Sequence, residues 1–178
     1  MSVRRLDDEQ VARLSGRPRS YDPTGAARPK TWPGFTRLQR SVVLRSQDLE
    51  AAGEALVRWR VHEQAGLRVR ASDIPMVAGT VVLMRWGVGF LSLRIPCRVV
   101  EVIDEPRRKG FAYVTLVGHP EGGEEQFLLE RLDDGSITFT ITAVSKPAST
   151  LAKLGGPATR AVQHLMTQRY LRALDRLP

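Results

Sequence analysis

The stretch that decides the fold is Gly110-Phe-Ala-Tyr-Val-Thr-Leu-Val-Gly-His-Pro-Glu-Gly-Gly-Glu-Glu-Gln-Phe127, at positions 110–127. Its first part, Phe111 to Gly118, has the aromatic and β-branched residues that are typical of a strand. The turn residues His119-Pro-Glu-Gly-Gly123 follow, and a second strand is predicted to begin at Glu125. Because the turn is too short for a parallel crossover, the sequence predicts an antiparallel hairpin with His119 at its corner.

Further strands are predicted on both sides of this hairpin, at about 80–86, 95–104 and 136–145. The segments between them are short and rich in turn residues, so the sheet is predicted to be largely an antiparallel meander. In the last strand, serine and threonine alternate with Ile137, Phe139, Ile141 and Ala143. One face of the sheet is therefore expected to be buried and the other to face water.

Two helices are predicted to pack on the buried face. The first opens at Ser46 or Asp48 and ends near Gly66. Its apolar stripe comprises Leu49, Ala52, Leu56, Trp59 and either His62 or Glu63. The second begins at Gly156-Pro157 and runs to about Leu174. Its apolar side is predicted to be Ala158, Ala161, Val162, Leu165, Met166 and Leu171, and its polar side Arg160, Gln163, Gln168 and Arg172. This helix is long enough to cover the sheet, which predicts an α+β fold with a curved antiparallel β-sheet wrapped around a long C-terminal helix.

A chain of 178 residues has the size of one ordinary domain. We expect a single domain over 1–178. It comprises an N-terminal helix and an extended arm in 1–34, a strand, a helix and the antiparallel meander in 35–145, and the C-terminal helix in 156–176. The N-terminus lacks the apolar stretch of a secretory signal, and no apolar run is long enough to span a membrane. The expectation is a soluble, cytoplasmic protein in which the single cysteine, Cys97, is a packed core thiol.

The formal net charge of +8 raises the question of a polyanionic partner. Lysine occurs only at positions 30, 109, 146 and 153, and the other basic residues are arginines scattered through every segment. A nucleic-acid groove would combine clustered basic residues with exposed aromatic side chains, and the sequence shows neither pattern. Nucleic acid is therefore disfavoured as a partner. Weak binding of nucleic acid or an acidic partner through the arginines of the C-terminal helix is a third hypothesis, behind the two described below.

Residues 110–127 resemble the signature of the family called domain of unknown function nineteen-ninety, which bacteria and plants share. Further matches follow the family's order: Tyr21-Asp-Pro-Thr-Gly-Ala26, Leu56-Val-Arg-Trp59, Gly79-Thr80, Ile95-Pro-Cys-Arg-Val99 and Gly156-Pro-Ala-Thr-Arg160. One position departs, since the family usually has glycine where this chain has Val114. The family is similar to the START/Bet v 1-like helix-grip superfamily. That similarity implies a helix-grip fold with a hydrophobic cavity but assigns no activity.

Candidate chemistry concentrates around the predicted turn. A metal site would use His119 with Glu121, Glu124 and Glu125, but strand alternation sends the last two to opposite faces, so no metal site is predicted. An enzyme of the cyclase or hydrolase type would use His119 with Glu121 or Glu124 as general acid and base in a pocket. Otherwise His119 is expected to fix the turn by hydrogen bonding to its own backbone or to a nearby carboxylate. No nucleotide loop or catalytic triad accompanies these residues, and no cofactor is predicted.

The leading hypothesis is a binding module for a small hydrophobic or amphipathic molecule, held between the sheet and the C-terminal helix. The side chains predicted to line its cavity are Trp86, Phe90, Phe111, Tyr113, Phe127, Phe139 and Leu165. The competing interpretation is that the aromatic rings simply fill the core. The position of His119 distinguishes binding from catalysis, because an enzyme needs it to point into the cavity and not to brace a surface turn. No prediction of the oligomeric state follows.

Overall fold

A curved sheet organises the molecule, and the computed structural model describes residues 3–20, 34–89, 92–147 and 156–176. Over these residues the strands are β1 (Arg4–Arg5), β2 (Thr36–Val43), β3 (Arg68–Ala71), β4 (Val81–Trp86), β5 (Leu93–Glu105), β6 (Arg108–Thr115), β7 (Glu121–Arg131) and β8 (Ile137–Pro147). They lie side by side in the order β1-β3-β4-β5-β6-β7-β8-β2.

Strands β3 to β8 each pair with the next in antiparallel register, which confirms the predicted meander. The hairpin of β6 and β7 aligns Tyr113 with Glu125 and Phe111 with Phe127. At one edge β2 pairs antiparallel with β8, and at the other β1 pairs parallel with β3. The sequence does not predict β1 and β3, since such short strands show no clear alternation.

The sheet bends along β5. Its register with β6 shifts between Val99 and Glu101. An irregularity of this kind adds an unpaired residue, bends the strand and increases its twist. The bend contributes to the curvature of the sheet, and the long helices pack on the concave side.

The helices are α1 (Asp8–Ser15), α2 (Leu49–Val57), α3 (Arg60–Gln64) and α4 (Gly156–Leu171), and a short 3-10 turn follows at Leu174–Arg176. Asp7 caps α1 and Asp48 caps α2, because their side chains accept hydrogen bonds from backbone N–H groups in the first turn. The predicted C-terminal helix is confirmed as α4, and together with the sheet it gives the predicted α+β class.

The helix predicted from Ser46 to Gly66 is in fact two helices. Trp59 lies between α2 and α3 with a φ of 64°, a left-handed conformation that interrupts the helical backbone. The Trp59 ring is fully buried, so packing holds a conformation that a bulky residue disfavours. The apolar spacing continues through Trp59 to His62, which is why the sequence pattern does not reveal the break.

The main core lies between the concave face of the sheet and the helices. Its largest fully buried side chains include Leu56, Trp59, Phe111, Phe127 and Phe139. His62 of α3 is fully buried among them, with its ring centroid 5.1 Å from that of Phe127. Cys97 is also buried, as the sequence predicts.

Some predictions lie outside the described residues. They concern most of the extended arm, from Tyr21 to Pro33, and the cavity candidate Phe90. The side chains of residues 156–160 are likewise outside the description. Within the part of the chain that is described, no helix has the length and apolar character needed to cross a membrane.

Candidate functional site

A cleft of about 930 Å³ lies between the sheet and α4. Strands β5 to β8 and the turn between β6 and β7 form one wall, and α4 contributes Val162, Met166 and Tyr170. Most of the lining surface is apolar, and the polar side chains gather along β6, β7 and the turn that joins them. A largely apolar cleft with a few converging polar groups is the usual form of a small-molecule site.

Tyr113 and Glu125 form the polar centre of the cleft. They are direct partners across β6 and β7, and the hydroxyl of Tyr113 donates a 2.5 Å hydrogen bond to Oε2 of Glu125. Burial raises the pKa of Glu125 to about 7, the hydrogen bond from Tyr113 opposes that rise, and the negative charge of Glu121 adds to it. Glu125 is therefore a carboxyl group that gains or loses a proton near neutral pH.

Replacing Tyr113 by phenylalanine should raise the pKa of Glu125 further. The hydroxyl stabilises the ionised carboxylate, and its removal leaves burial without that opposing contribution. The measurement is a ¹³C NMR titration of the side-chain carboxyl groups, with the Glu125 signal identified by its loss in Glu125→Gln. A lower pKa in the variant would show that the hydrogen bond does not stabilise the carboxylate.

His119 braces the turn between β6 and β7. Its Nδ1 accepts a 2.9 Å hydrogen bond from the backbone N–H of Glu121, which is the turn-fixing contact expected from the sequence. Because Nδ1 is the acceptor, the neutral ring carries its proton on Nε2. Burial lowers the pKa of His119 to about 4, so the imidazole is neutral at pH 7. The side chain also lines the cleft. His119 therefore both braces the turn and faces the cavity, the two positions that the sequence offered as alternatives.

A second polar group joins β7, β8 and α4. Oε2 of Glu121 accepts hydrogen bonds from Oγ of Ser145 at 2.9 Å and from Nε2 of Gln163 at 3.4 Å. Burial raises the pKa of Glu121, and the bond from Ser145 opposes the rise. The sequence assigned Gln163 to the polar side of α4, but helical spacing places it on the same face as Met166 and beside the sheet. The polar partner of Glu121 was missed for that reason.

The structure corrects the predicted aromatic lining of the cavity. Phe111, Phe127 and Phe139 are fully buried in the main core instead of lining the cleft. Phe111 and Phe127 pack against His62, and Phe139 packs against Phe127. For these three rings the competing interpretation applies, because they fill the core. Tyr113, on the same face of β6 as Phe111 but nearer the turn, does line the cleft. The difference is position along the strand, since the far end of the sheet is covered by α2 and α3.

Two further candidates lie away from the cleft wall. Trp86, at the end of β4, is half-buried and packs against the main core. Leu165 is 42% exposed, because it lies on the side of α4 that faces away from the row formed by Val162, Met166 and Tyr170. The apolar residues of α4 do not all share one face, and hydrophobicity alone assigned Leu165 to the wrong one.

Glu124 lies on the opposite face of β7 from Glu125. Its partners in the neighbouring strands are Val114 on β6 and Val144 on β8. Glu124 contributes to the cleft wall, but strand alternation directs its side chain to the other face of the sheet. The carboxylate beside Tyr113 is thus Glu125, which replaces Glu124 among the candidate residues. No group of three or more His, Cys, Asp and Glu side chains in the described ranges is placed to hold a metal ion.

Comparisons with solved structures agree with this architecture. A hypothetical protein of Helicobacter pylori superposes with a TM-score of 0.61 at 12% identity, over 78% of this chain and 85% of its own. Major latex-like protein 151 of Panax ginseng gives 0.51 at 14% identity, over 79% of this chain and 99% of its own. At such low identities the likeness concerns the fold alone, which is the helix-grip fold.

The sequence comparisons identify the family. A UPF0548 protein of Deinococcus radiodurans is 30% identical over 187 aligned positions, which cover 93% of this chain and 90% of that protein. The model of the family described as domain of unknown function (DUF1990) matches residues 20–173, and this range contains the cleft and almost all of the sheet. The chain belongs to this DUF1990 family.

Proposed function

We propose that this protein binds a small amphipathic molecule in the cleft between the sheet and α4. The observation that carries the proposal is the pairing of Tyr113 and Glu125 within a cleft of about 930 Å³. Small-molecule sites typically have volumes of roughly 300–1,000 Å³, so the cleft is large enough for a ligand and not only for a few waters.

The walls of the cleft suit a molecule with an apolar body. Ile95, Val162 and Met166 present aliphatic or thioether groups, and burial of apolar ligand surface against them supplies the driving force for binding. A methionine in the wall adapts to ligands of different shape, since its side chain is unbranched and flexible. The polar groups of Tyr113 and Glu125 would then orient one end of the ligand.

The rival hypothesis of a cyclase- or hydrolase-like enzyme has less support. Nδ1 of His119 is already engaged by the backbone of the turn, and burial lowers the pKa of this histidine to about 4. A general base at neutral pH works best with a pKa near 7, and His119 is far from that value. Of the two glutamates that the sequence offered with His119, Glu124 directs its side chain to the opposite face of the sheet. Glu121 lines the cleft but accepts hydrogen bonds from Ser145 and Gln163.

Replacing Met166 by tryptophan should fill the cleft and weaken binding of an apolar probe by at least about tenfold, or roughly 1.4 kcal/mol. The probe is N-phenyl-1-naphthylamine, whose fluorescence rises on transfer to an apolar site. Leu165→Trp is the matched control, because it adds the same ring one position earlier on the exposed side of α4. Equal affinities of the two variants would contradict binding in this cleft.

Native mass spectrometry of the protein purified from cells provides a second test. A bound molecule should appear as a mass increment that organic extraction removes, and the increment should be absent from Met166→Trp but present in Leu165→Trp. A protein that neither retains a molecule nor binds the probe would overturn the proposed function.

A further inference from the structure

We propose that the cleft selects ligands that carry an ammonium group beside an apolar body. This inference rests on the proposed function and specifies the class of molecule that the same site takes. It follows from the arrangement of carboxylates along β7 and from the charges of the groups that face them.

Two carboxylates of β7 line the cleft on the same face of the strand. Glu125 accepts its hydrogen bond from Tyr113 on β6, and Glu121 accepts from Ser145 on β8 and from Gln163 on α4. All of these partners are uncharged. The carboxylates are therefore oriented by neutral donors on three neighbouring elements, and each acid group has a defined position in the cleft wall.

Neither carboxylate forms an ion pair with a cation among the side chains that the structure describes. None of the ion pairs formed within residues 3–20, 34–89, 92–147 and 156–176 includes Glu121 or Glu125. This is notable in a chain with 27 lysine and arginine residues and a net charge of +8. The described arginines and lysines therefore leave Glu121 and Glu125 without a paired counter-charge.

Among the described residues, the titratable groups that interact with Glu125 are also not cations at neutral pH. They are Tyr113 on β6, Cys97 on β5, Tyr170 on α4 and Glu121 on β7, and the neutral His119 lines the same cleft from the turn. An ionised carboxylate that is partly removed from water and lacks a cation is costly, and an ammonium group compensates it through charge-assisted hydrogen bonds. The rings of Tyr113 and Tyr170 line the same cleft, and aromatic faces attract cations as well.

Positively charged side chains at the rim of the cleft would favour a ligand of the opposite charge, with an anionic head group. The exposed Arg94 lines it and also lines a neighbouring pocket of about 550 Å³, together with Arg13 and Arg17. A ligand with an anionic head would place that head among these arginines. We favour the ammonium because Glu125 is partly buried at the centre of the cleft, whereas the arginines are exposed or half-buried and exposed charges are screened by solvent and salt.

The test compares three probes that share one apolar chain and differ in their head group: octylamine, 1-octanol and octanoate. Calorimetric titration at about pH 8 should show that octylamine binds at least about tenfold more tightly than octanol, and that octanoate binds most weakly. Octylamine remains charged at this pH, as a lysine side chain does. Binding of octylamine should favour the ionised form of Glu125, so the affinity for octylamine should rise from pH 6 to pH 8 and a proton should be released on binding. The affinity for octanol should show no such rise.

Glu125→Gln should abolish the preference for octylamine over octanol while octanol binding persists, which also reports that the variant is folded. Glu101→Gln is the matched control, since it makes the same change of net charge at an exposed position on β5. Tightest binding of octanoate would overturn the inference and place the head group at Arg94, while the proposed function would stand. Failure of all three probes to bind would contradict the proposed function itself.

Discussion

Replacing His62 by leucine should make the protein markedly more resistant to acid. In the folded protein burial lowers the pKa of His62 to about 3, against 6.5 for an unperturbed histidine. Below about pH 6.5 the unfolded chain therefore binds a proton that the folded protein does not. The free energy of unfolding consequently decreases as the pH is lowered. Between about pH 7 and about pH 4 this single group should cost the wild-type protein roughly 3 kcal/mol, which the variant should not lose.

The surroundings of His62 explain both its pKa and its effect at neutral pH. Five aromatic rings lie within 6.0 Å of its ring centroid: Trp59, Phe111, Tyr113, Phe127 and Tyr170. Neither ring nitrogen has a hydrogen-bond partner among the described residues. Each buried unpaired polar atom costs about 1–3 kcal/mol. Leucine removes both nitrogens and still packs an apolar side chain of similar size against the surrounding rings. We therefore expect His62→Leu to be at least as stable as the wild type at pH 7.

The measurement is urea unfolding at a series of pH values for the wild type, His62→Leu and His164→Leu. His164 is exposed on α4, and its replacement is the control for the loss of a histidine outside the core. The titrating groups of the cleft, including His119 and Glu125, are present in all three proteins. Their contributions to the pH dependence of stability therefore cancel in the comparison. An unchanged acid slope in His62→Leu would show that His62 is protonated in the folded protein or has a partner.

The strands and the C-terminal helix were predictable because their signals are local. Alternation in 136–145 predicts β8, and the turn residues of 119–123 predict the hairpin of β6 and β7. The predicted bounds of the turn are wrong, because β7 begins at Glu121 and not at Glu125. The break at Trp59 is not local, since it depends on a buried ring that stabilises an unfavourable backbone conformation. Packing around a residue is not readable from the spacing of its apolar neighbours.

The candidate site was only partly predictable for a related reason. Tyr113 and Glu125 come from adjacent strands, and only the register of β6 against β7 makes them partners. A change of one residue would direct Glu124 into the cleft and Glu125 out of it, because side chains alternate between faces. The contribution of Gln163 depends in turn on how α4 is rotated against the sheet. The turn residues were enough to predict the region of the site. The residues that line it depend on tertiary contacts.

Gly123→Ala should lower the free energy of unfolding by about 3 kcal/mol, at the upper end of what overpacking usually costs. A Cβ at this position would lie 2.1 Å from the carbonyl oxygen of Val144 and 2.7 Å from Cα of Ser145. Both atoms belong to the backbone of β8, which cannot rotate away as a flexible side chain would. The methyl group would therefore force β7 and β8 apart beside the cleft.

The separation should also disturb the contact between Gly123 and β6. Oγ1 of Thr115 donates to the carbonyl oxygen of Gly123 at 3.1 Å and accepts from its N–H at 2.8 Å. Both hydrogen bonds are buried, and a buried polar group left unpaired costs about 1–3 kcal/mol. Gly123→Ala should consequently weaken octylamine binding as well, since Gly123 lies between Glu121 and Glu125 on the strand that carries both carboxylates.

Gly16→Ala provides the control for the substitution itself. Gly16 has a φ of −78°, and a Cβ there would lie 3.5 Å from the carbonyl oxygen of Ala12, an ordinary contact. Its replacement should change the stability by less than about 1 kcal/mol, and alanine's lower entropy in the unfolded chain favours the folded state. Gly110→Ala should behave like Gly123→Ala, because its Cβ would lie 2.3 Å from the carbonyl oxygen of Phe127. If thermal and urea unfolding show all three variants alike, the glycines of residues 110–127 do not owe their presence to the close approach of neighbouring strands.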